Sequence, residues 1–167
     1  MKPIFLFISL LLLQATQAQL KVSTQNQCAT FTVDILDGKV NGLDLKASVG
    51  EIKKTLPCFT SEVVEGTPAA KCGEVISYKN QDVYFYTTRH YVEIRDKFKG
   101  KLSVPLMGAT RNSTFLFKWL GNVKLKDTDW DAYNTSYGIL ILYYNKLKKV
   151  NKIQFSSDGT ETINLCQ

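Results

Sequence analysis

The sequence predicts an α+β protein in which an antiparallel sheet carries two short helices on one face. Segments rich in β-branched and aromatic residues recur between turn-forming residues, as in a sheet of short strands. Two apolar segments with helical spacing each start at a capping residue and end at a helix breaker. The chain contains no low-complexity linker. Its length suits one domain of ordinary size, which we place at residues 19–167.

The first 18 residues have the pattern of a secretory signal peptide. A basic start at Lys2 precedes an apolar run over residues 4–13, and small residues at Thr16 and Ala18 stand where a signal peptidase reads the chain. We therefore expect cleavage after Ala18 and a secreted or periplasmic protein. The apolar run is too short to span a bilayer and no second run of membrane length follows it. We expect no transmembrane segment in the mature chain.

A β-hairpin is the first element predicted after the signal. Residues 31–36 alternate apolar and polar side chains, as a half-buried strand does. Asp37-Gly38 favours a tight turn, and Lys39-Val40 begins the return strand.

Two helices are predicted from the residues at their ends. The first spans residues 48–56 and opens with Ser48 three residues before Glu51, the reciprocal capping box, and the next residue is a proline. The second spans residues 112–120, with an Asn or a Ser as its cap, and ends at Gly121. Helices this short need a sheet to pack against.

The remaining elements are predicted strands and one long loop. Residues 59–71 contain glycine, proline and several small residues, and we expect a loop there. Residues 102–107 are expected to form an edge strand or an extended segment, because Pro105 cannot donate to a sheet ladder. The predicted strands cover residues 74–78, 82–88, 91–95, 139–144, 150–156 and 162–166.

Four cysteines, Cys28, Cys58, Cys72 and Cys166, remain after the signal. An even number in an exported chain predicts two disulfides, for which three pairings are possible. We favour Cys58–Cys72, which would close a short loop, with Cys28–Cys166 tying the two ends together. The chain has no Cys-x-x-Cys motif, so we expect neither a redox-active pair nor a zinc site, and no cofactor.

The two halves of the chain share an order of elements. Helix 48–56 is followed by a breaker, a loop and strands from Gly73, and helix 112–120 is followed by a breaker, a loop and strands from Gly138. This order is compatible with a tandem helix–loop–strands repeat. The alternative is a chance similarity, since the sequence identity between the halves is low.

The order of elements resembles the β-lactamase-inhibitor-protein type of fold, which is shared in simpler form by small outer-membrane assembly lipoproteins of the BamE kind. Ser48 and Glu51 match its first helix, and Cys58 and Cys72 match the local disulfide of the first inhibitor repeat. The resemblance covers roughly residues 44–165. The second half here lacks its own cysteine pair, and the lipoprotein anchor is missing. The resemblance implies this fold and a protein that binds macromolecules, without implying β-lactamase as the partner.

Charge limits the kind of partner. The chain carries 21 Lys and Arg against 15 Asp and Glu, and all but three of the basic residues are lysines. Phosphate-binding sites favour arginine for its bidentate contacts, so we expect no nucleic-acid partner. Local lysine clusters occur at residues 97–101 and 146–152. They predict a solvated basic surface or, alternatively, contact with an acidic envelope polymer.

No pattern predicts catalysis, and we propose no catalytic residue. His90 is the only imidazole, stands beside Arg89, and has no nucleophile motif to act with.

Asp127, Asp129 and Asp131 have the spacing that opens a calcium loop. The glycine and glutamate that an EF-hand requires further on are absent, so we expect an acidic surface loop.

The aromatic residues give the best indication of function. On a predicted strand two tyrosines alternate with apolar residues, so the tyrosines lie outside if the apolar residues face the core. Tyrosine and tryptophan provide a large contact area at low entropic cost. The predicted binding residues are Tyr84, Tyr86, Tyr91, Trp130 and Tyr133. The alternative is that these rings pack inside the protein.

Taken together, these patterns predict an exported, non-catalytic binding module that recognises a protein or an envelope polymer through an aromatic sheet face. Two alternatives remain. One is a small secreted hydrolase with paired carboxylates, although Glu93 shares a strand face with Arg95, which predicts an ion pair. The other is a purely structural envelope component.

Overall fold

A computed structural model describes residues 29–67 and 70–158 of the chain. Within these ranges there are two helices, α1 (Val49–Thr55) and α2 (Thr114–Leu120). The strands are β1 (Thr32–Asp34), β2 (Lys39–Val40), β3 (Ser61–Thr67), β4 (Ala70–Tyr78), β5 (Val83–Tyr86), β6 (Tyr91–Arg95), β7 (Lys101–Leu102), β8 (Leu125–Lys126), β9 (Trp130–Thr135), β10 (Gly138–Tyr144) and β11 (Val150–Ser156).

Eight strands form one antiparallel sheet in the order β3-β4-β5-β6-β11-β10-β9-β8. Strands β3 to β6 form a meander that follows α1, and strands β8 to β11 form a second meander that follows α2. The two meanders meet where β6 pairs with β11 and Glu93 lies opposite Gln154. The three short strands β2, β1 and β7 form a separate small sheet in which β1 is parallel to β7.

The main core lies between the helices and one face of the large sheet. Ile52 of α1 and Leu116 of α2 are buried in the same apolar cluster as the inward side chains of the sheet. Inward residues occupy every second position along each strand and lie opposite one another on adjacent strands, as Phe85, Val92 and Phe155 do. Both helices therefore cover one face, which confirms the predicted α+β class.

Local sequence signals account for both helices. Ser48 caps α1, and its hydroxyl and the Glu51 carboxylate form the predicted capping box. The hydroxyl of Ser113 accepts a hydrogen bond from the Leu116 N–H at the start of α2, and Gly121 ends that helix with a φ of 71°, which favours glycine. Both helices are only seven residues long, so their stability depends on packing against the sheet.

The predicted loop over residues 59–71 is wrong. Most of this segment is β3, the edge strand of the sheet, and the beginning of β4. Side chains on an edge strand do not need to alternate between core and solvent, and Val63 and Val64 are both largely exposed. The periodicity that normally identifies a strand is therefore missing. The strand predicted over residues 162–166 lies outside the described residues.

The cysteines are described only in part. Cys58 packs against the helix-side core and is not a free thiol. No disulfide joins two side chains within the described ranges. The side chains of Cys28, Cys72 and Cys166 lie outside the description.

Among the residues that the structure describes, no helix has the length and apolar character needed to cross a bilayer.

Candidate binding surface

The candidate surface is the face of the eight-stranded sheet that points away from α1 and α2, here called the outer face. Alternation along β5 places Tyr84 and Tyr86 on this face, because Val83 and Phe85 between them are buried in the main core. Both tyrosines are half-buried rather than enclosed. The orientation predicted for these two residues is therefore correct.

A buried carboxylate lies at the centre of the outer face. The side chain of Glu93 on β6 is only 8% exposed, and cations contact both of its oxygens. Arg95 Nε donates to Oε1 at 2.5 Å, which confirms the predicted ion pair, and Lys152 Nζ lies 3.6 Å from Oε2. Arg95 and Lys152 are directly opposite each other on β6 and β11. The pairing of the two central strands thus supplies the second cation.

Each of these two cations also lies over a tyrosine ring. The Arg95 guanidinium carbon is 4.0 Å from the centroid of the Tyr84 ring, and Lys152 Nζ is 3.7 Å from that of Tyr143. We call these five residues, Tyr84, Arg95, Glu93, Lys152 and Tyr143, the central row. It crosses β5, β6, β11 and β10 in that order. Cation–π contacts and ion pairs hold its side chains in place.

A second aromatic group lies at the end of the β5–β6 hairpin. The rings of Tyr86 and Tyr91 are stacked with centroids 4.2 Å apart and planes 19° apart. The Arg89 guanidinium lies 4.9 Å from both centroids and pairs with Glu65 of β3.

Burial raises the pKa of the Tyr91 hydroxyl. Burial, and to a smaller extent the negative charge of Glu93, raises the pKa of the Tyr86 hydroxyl. Both phenols are therefore neutral hydrogen-bonding groups at physiological pH.

The outer face receives Trp130 but not Tyr133. Trp130 is directly opposite Tyr143 and packs beside Ala132 and Ile141. Tyr133 is buried on the helix side, within the main core. Residues three apart on a strand point to opposite faces, so the two rings cannot share a surface.

Sequence analysis missed part of the surface. Tyr143, Lys152 and Gln154 were not predicted to contribute, although Tyr143 donates to Gln154 Oε1 at 3.1 Å across β10 and β11. Alternation along β10 already indicates that Tyr143 faces away from the buried Leu142. The local sequence does not indicate that β11 pairs with β6, and this pairing brings these residues next to Glu93.

The acidic segment predicted as a surface loop has an internal role at one position. Asp131 is fully buried, and Arg111 Nε and Nη2 donate to its two oxygens at 3.1 and 2.6 Å. The same guanidinium donates to the carbonyl oxygens of Asp127 and Thr128. Hydrogen bonding to Asp131 raises the pKa of Arg111. The charged Arg111 side chain therefore uses the carboxylate and carbonyl oxygens that a calcium ion bound in this segment would need.

Within the described ranges no group of three or more acidic, histidine or cysteine side chains is placed to bind a metal ion.

His90 lies in the turn between β5 and β6, in a left-handed conformation with a φ of 47°. Its Nδ1 is 4.0 Å from Asp158 Oδ1, and its carbonyl oxygen accepts hydrogen bonds from Ser156 Oγ and Ser157 N–H. These contacts attach the turn to the end of β11.

Comparison of the chain with protein-family models, with curated proteins and with solved structures gives no match.

Proposed function

We propose that this chain is an exported, non-catalytic binding module that recognises a protein partner through the outer face of its sheet. The observation that carries the proposal is the central row, in which two tyrosines and two cations are held around a buried carboxylate. Secretion follows from the predicted signal peptide, which lies outside the described residues.

The geometry of the central row suits recognition. The side chains of Arg95 and Lys152 remain 42% and 31% exposed although each contacts both Glu93 and a ring. Side chains held in this way lose less conformational entropy on binding than free ones do. Tyrosine and arginine are also the residue types that dominate the energetics of protein interfaces. The central row therefore offers ordered anchors to a partner.

The alternative of a carboxylate hydrolase receives less support from the same residues. A general acid or nucleophile needs at least one oxygen that can reach a substrate. Glu93 has both oxygens in contact with cations, an arrangement typical of a structural ion pair. We therefore assign Glu93 the role of positioning Arg95 and Lys152.

The test is site-specific photocrosslinking followed by measured binding. A photoreactive phenylalanine analogue at position 84 should capture a partner from the secreted or envelope fraction, and the same analogue at the exposed Lys54 position of α1 should not. Against that purified partner, Tyr84→Ala/Tyr143→Ala should bind at least tenfold more weakly than wild type. Phe59→Ala removes an exposed ring that contacts Lys53 of α1 and serves as the matched control. Equal affinity of the double variant and wild type would overturn the proposal.

We also propose that the two halves of the chain arose by tandem duplication. Each half consists of a seven-residue helix capped by a serine, followed by a four-stranded antiparallel meander. The last strands of the two meanders pair at the centre of the sheet, so the halves are arranged about that pair. This agreement of order, length and capping supports the repeat better than residue identity does.

We propose two disulfides, with a pairing that differs from the one favoured by sequence. The Thr60 N–H donates to the Ser77 carbonyl oxygen, so Cys58 lies near the last residues of β4. Cys72 precedes Ser77 by five positions on that strand, a separation of about 16 Å at the usual rise of about 3.3 Å per residue. A disulfide needs its Cα atoms within about 7 Å. This register argues against Cys58–Cys72.

Cys28 is a better partner for Cys58. It precedes Phe31 by three residues, which span at most about 11 Å. The ring of Phe31 is 5.0 Å from that of Tyr78, whose hydroxyl donates to the Leu56 carbonyl oxygen two residues before Cys58. We therefore propose Cys28–Cys58, which leaves Cys72 to pair with Cys166.

Peptide mapping without reduction tests this pairing, because cleavage after lysine and arginine puts every cysteine in a separate peptide. Fragments 22–39 and 55–71 should be linked to each other, and so should fragments 72–79 and 153–167. Reduction before digestion is the control and should release all four fragments. A link between fragments 55–71 and 72–79 would contradict the proposed pairing.

A further inference from the structure

Strand β3 leaves one side of its backbone open. It is an edge of the eight-stranded sheet, and within the described ranges β4 is the only strand that pairs with it. The other side of β3 therefore presents N–H and C=O groups that no described strand satisfies. Val63 and Val64 are each 57% exposed, so two apolar side chains accompany this open backbone. An edge of this kind can accept another extended strand.

Cations of the same molecule neutralise the two acids of β3. Lys53 Nζ of α1 lies 2.5 Å from Glu62 Oε2, and Arg89 of the β5–β6 turn pairs with Glu65. A charged side chain protects a sheet edge when an added strand would leave that charge unpaired. Glu62 and Glu65 already have their cations, and β3 contains no lysine, arginine or proline. The edge therefore lacks the usual side-chain protection against strand addition.

The register of β3 fixes which side chains belong to which face. Pairing through β4 places Val63 in line with Tyr86, and therefore on the outer face. Glu62 and Val64, on either side of it, point to the helix side, where Ile76 opposite Glu62 is buried. A strand that extends the sheet must match these faces.

We propose that β3 pairs antiparallel with β3 of a second copy of the chain. A two-fold axis perpendicular to the sheet keeps both outer faces on the same side, so opposite residues must belong to the same face. This condition is met when Val63 lies opposite Val63 of the second copy, which places Glu62 opposite Val64. Glu65 then falls near Ser61 of the second copy. No glutamate lies opposite another glutamate, an arrangement that would be destabilising.

The edge itself selects a second copy as the occupant. Its apolar centre, Val63 and Val64, meets an identical apolar centre, and the charges of β3 are balanced within each molecule. Two copies can therefore pair through β3 without placing unpaired charges of this strand opposite each other. The other edge strand, β8, has only two residues and carries the exposed Lys126, so the assembly ends at two copies.

The dimer is expected to be weak. A strand pair over residues 61–65 of each copy buries less surface than the roughly 1,600 Å² of a standard stable interface. We therefore expect a monomer–dimer equilibrium in the micromolar range. In the dimer both central rows lie on the same side, so one dimer can hold a repeated partner at two points. This consequence rests on the proposed function, whereas the dimer itself does not.

Sedimentation equilibrium of the mature chain, residues 19–167, tests the proposal at about 10–500 μM. The average mass should rise with concentration from that of the monomer towards that of the dimer. Val63→Lys/Val64→Lys places four lysines at the centre of the strand pair and should weaken association at least tenfold. Phe117→Lys/Leu147→Lys adds the same charge at two other exposed apolar positions and should associate like wild type. Circular dichroism verifies that each variant is folded.

Cross-linking tests the register. Residues directly opposite each other in an antiparallel pair have Cβ atoms about 4.5–5.5 Å apart. A short bis-maleimide should therefore join two copies of the Val63→Cys variant, and peptide mapping should locate the link at position 63 of both. Leu147→Cys, in the exposed turn between β10 and β11, is the matched control and should give no such link.

Three results would overturn the proposal. They are a monomer at every concentration, association that Val63→Lys/Val64→Lys does not weaken more than Phe117→Lys/Leu147→Lys does, and equal cross-linking of the Val63→Cys and Leu147→Cys variants. The first would mean that the open edge of β3 attracts no second copy, and the other two would place the contact elsewhere on the molecule.

Discussion

At the scale of single residues, the buried carboxylate of Asp131 is paired with the guanidinium of Arg111. Its carboxylate is fully buried and accepts hydrogen bonds from Arg111 and from the Tyr144 hydroxyl, which donates at 2.9 Å. The side chain of Arg111 is itself largely buried. Removal of one member of a buried ion pair leaves an uncompensated charge, which costs far more than the pair itself contributes.

We expect Arg111→Leu to lower the free energy of unfolding by about 3–5 kcal/mol, because it leaves Asp131 buried and unpaired. Urea denaturation followed by circular dichroism measures this loss. Arg111→Leu/Asp131→Leu removes both charges and should be more stable than the single variant. Equal stability of Arg111→Leu and wild type would show that the pair is not needed.

The residues of the outer face show what alternation alone can predict. It oriented Tyr84 and Tyr86 correctly, because Val83 and Phe85 are strongly apolar neighbours on the same short strand. The prediction for Tyr133 is not supported, because residues 130 and 133 both belong to strand β9 and Tyr133 is buried in the main core. Once a strand is assumed there, the two rings fall on opposite faces.

At the scale of elements, the β1–β2 hairpin depends on one glycine. Gly38 has a φ of 66°, and a Cβ atom at this position would lie 2.6 Å from the ring of Tyr137. Tyr137 is fixed there because its hydroxyl donates to the Ile35 carbonyl oxygen at 2.9 Å. The turn therefore imposes a backbone requirement and a packing requirement at one residue.

Gly38→Ala should destabilise the protein by about 1–3 kcal/mol through backbone strain together with displacement of the Tyr137 ring. Gly42→Ala is the matched control, because Gly42 has a φ of 80° but no atom within 4 Å of a Cβ. Thermal unfolding should rank wild type, Gly42→Ala and Gly38→Ala in order of decreasing stability. Identical losses in the two variants would mean that contact with Tyr137 has no cost.

Elements with local signals were predictable, and elements defined by distant neighbours were not. The first helix was placed correctly because Ser48 and Glu51 satisfy its end by local hydrogen bonds. Strand β3 was missed because its stability comes from pairing with β4 at a sheet edge and its valines face solvent. The position of β11 beside β6 was likewise hidden, since nothing local to either strand encodes it.

At the scale of the whole molecule, tyrosine burial links stability to pH. Seven of the eight tyrosines have pKa values raised above the ordinary value, in each case with burial as the largest cause: Tyr78, Tyr86, Tyr91, Tyr133, Tyr137, Tyr143 and Tyr144. In the unfolded chain these phenols ionise at about pH 10. Above that pH the unfolded state releases protons that the native state retains.

The free energy of unfolding should therefore be insensitive to these groups below about pH 10 and fall as the pH rises further. Absorbance at 295 nm reports phenolate formation, and circular dichroism reports the fold. We expect the main phenolate transition to coincide with unfolding on the alkaline side. Complete ionisation near pH 10 in a protein that keeps its native spectrum would contradict this.

The pairing of β6 with β11 differs from the other strand pairings of the large sheet, because it joins strands that are far apart in the sequence. Neighbours within each meander are consecutive along the chain, whereas Glu93 and Gln154 are 61 positions apart. Contacts between distant positions form late, because long loops must close first. During refolding at high concentration, the β6 edge of one molecule can accept β11 from another, which would yield an entangled dimer with the native strand order.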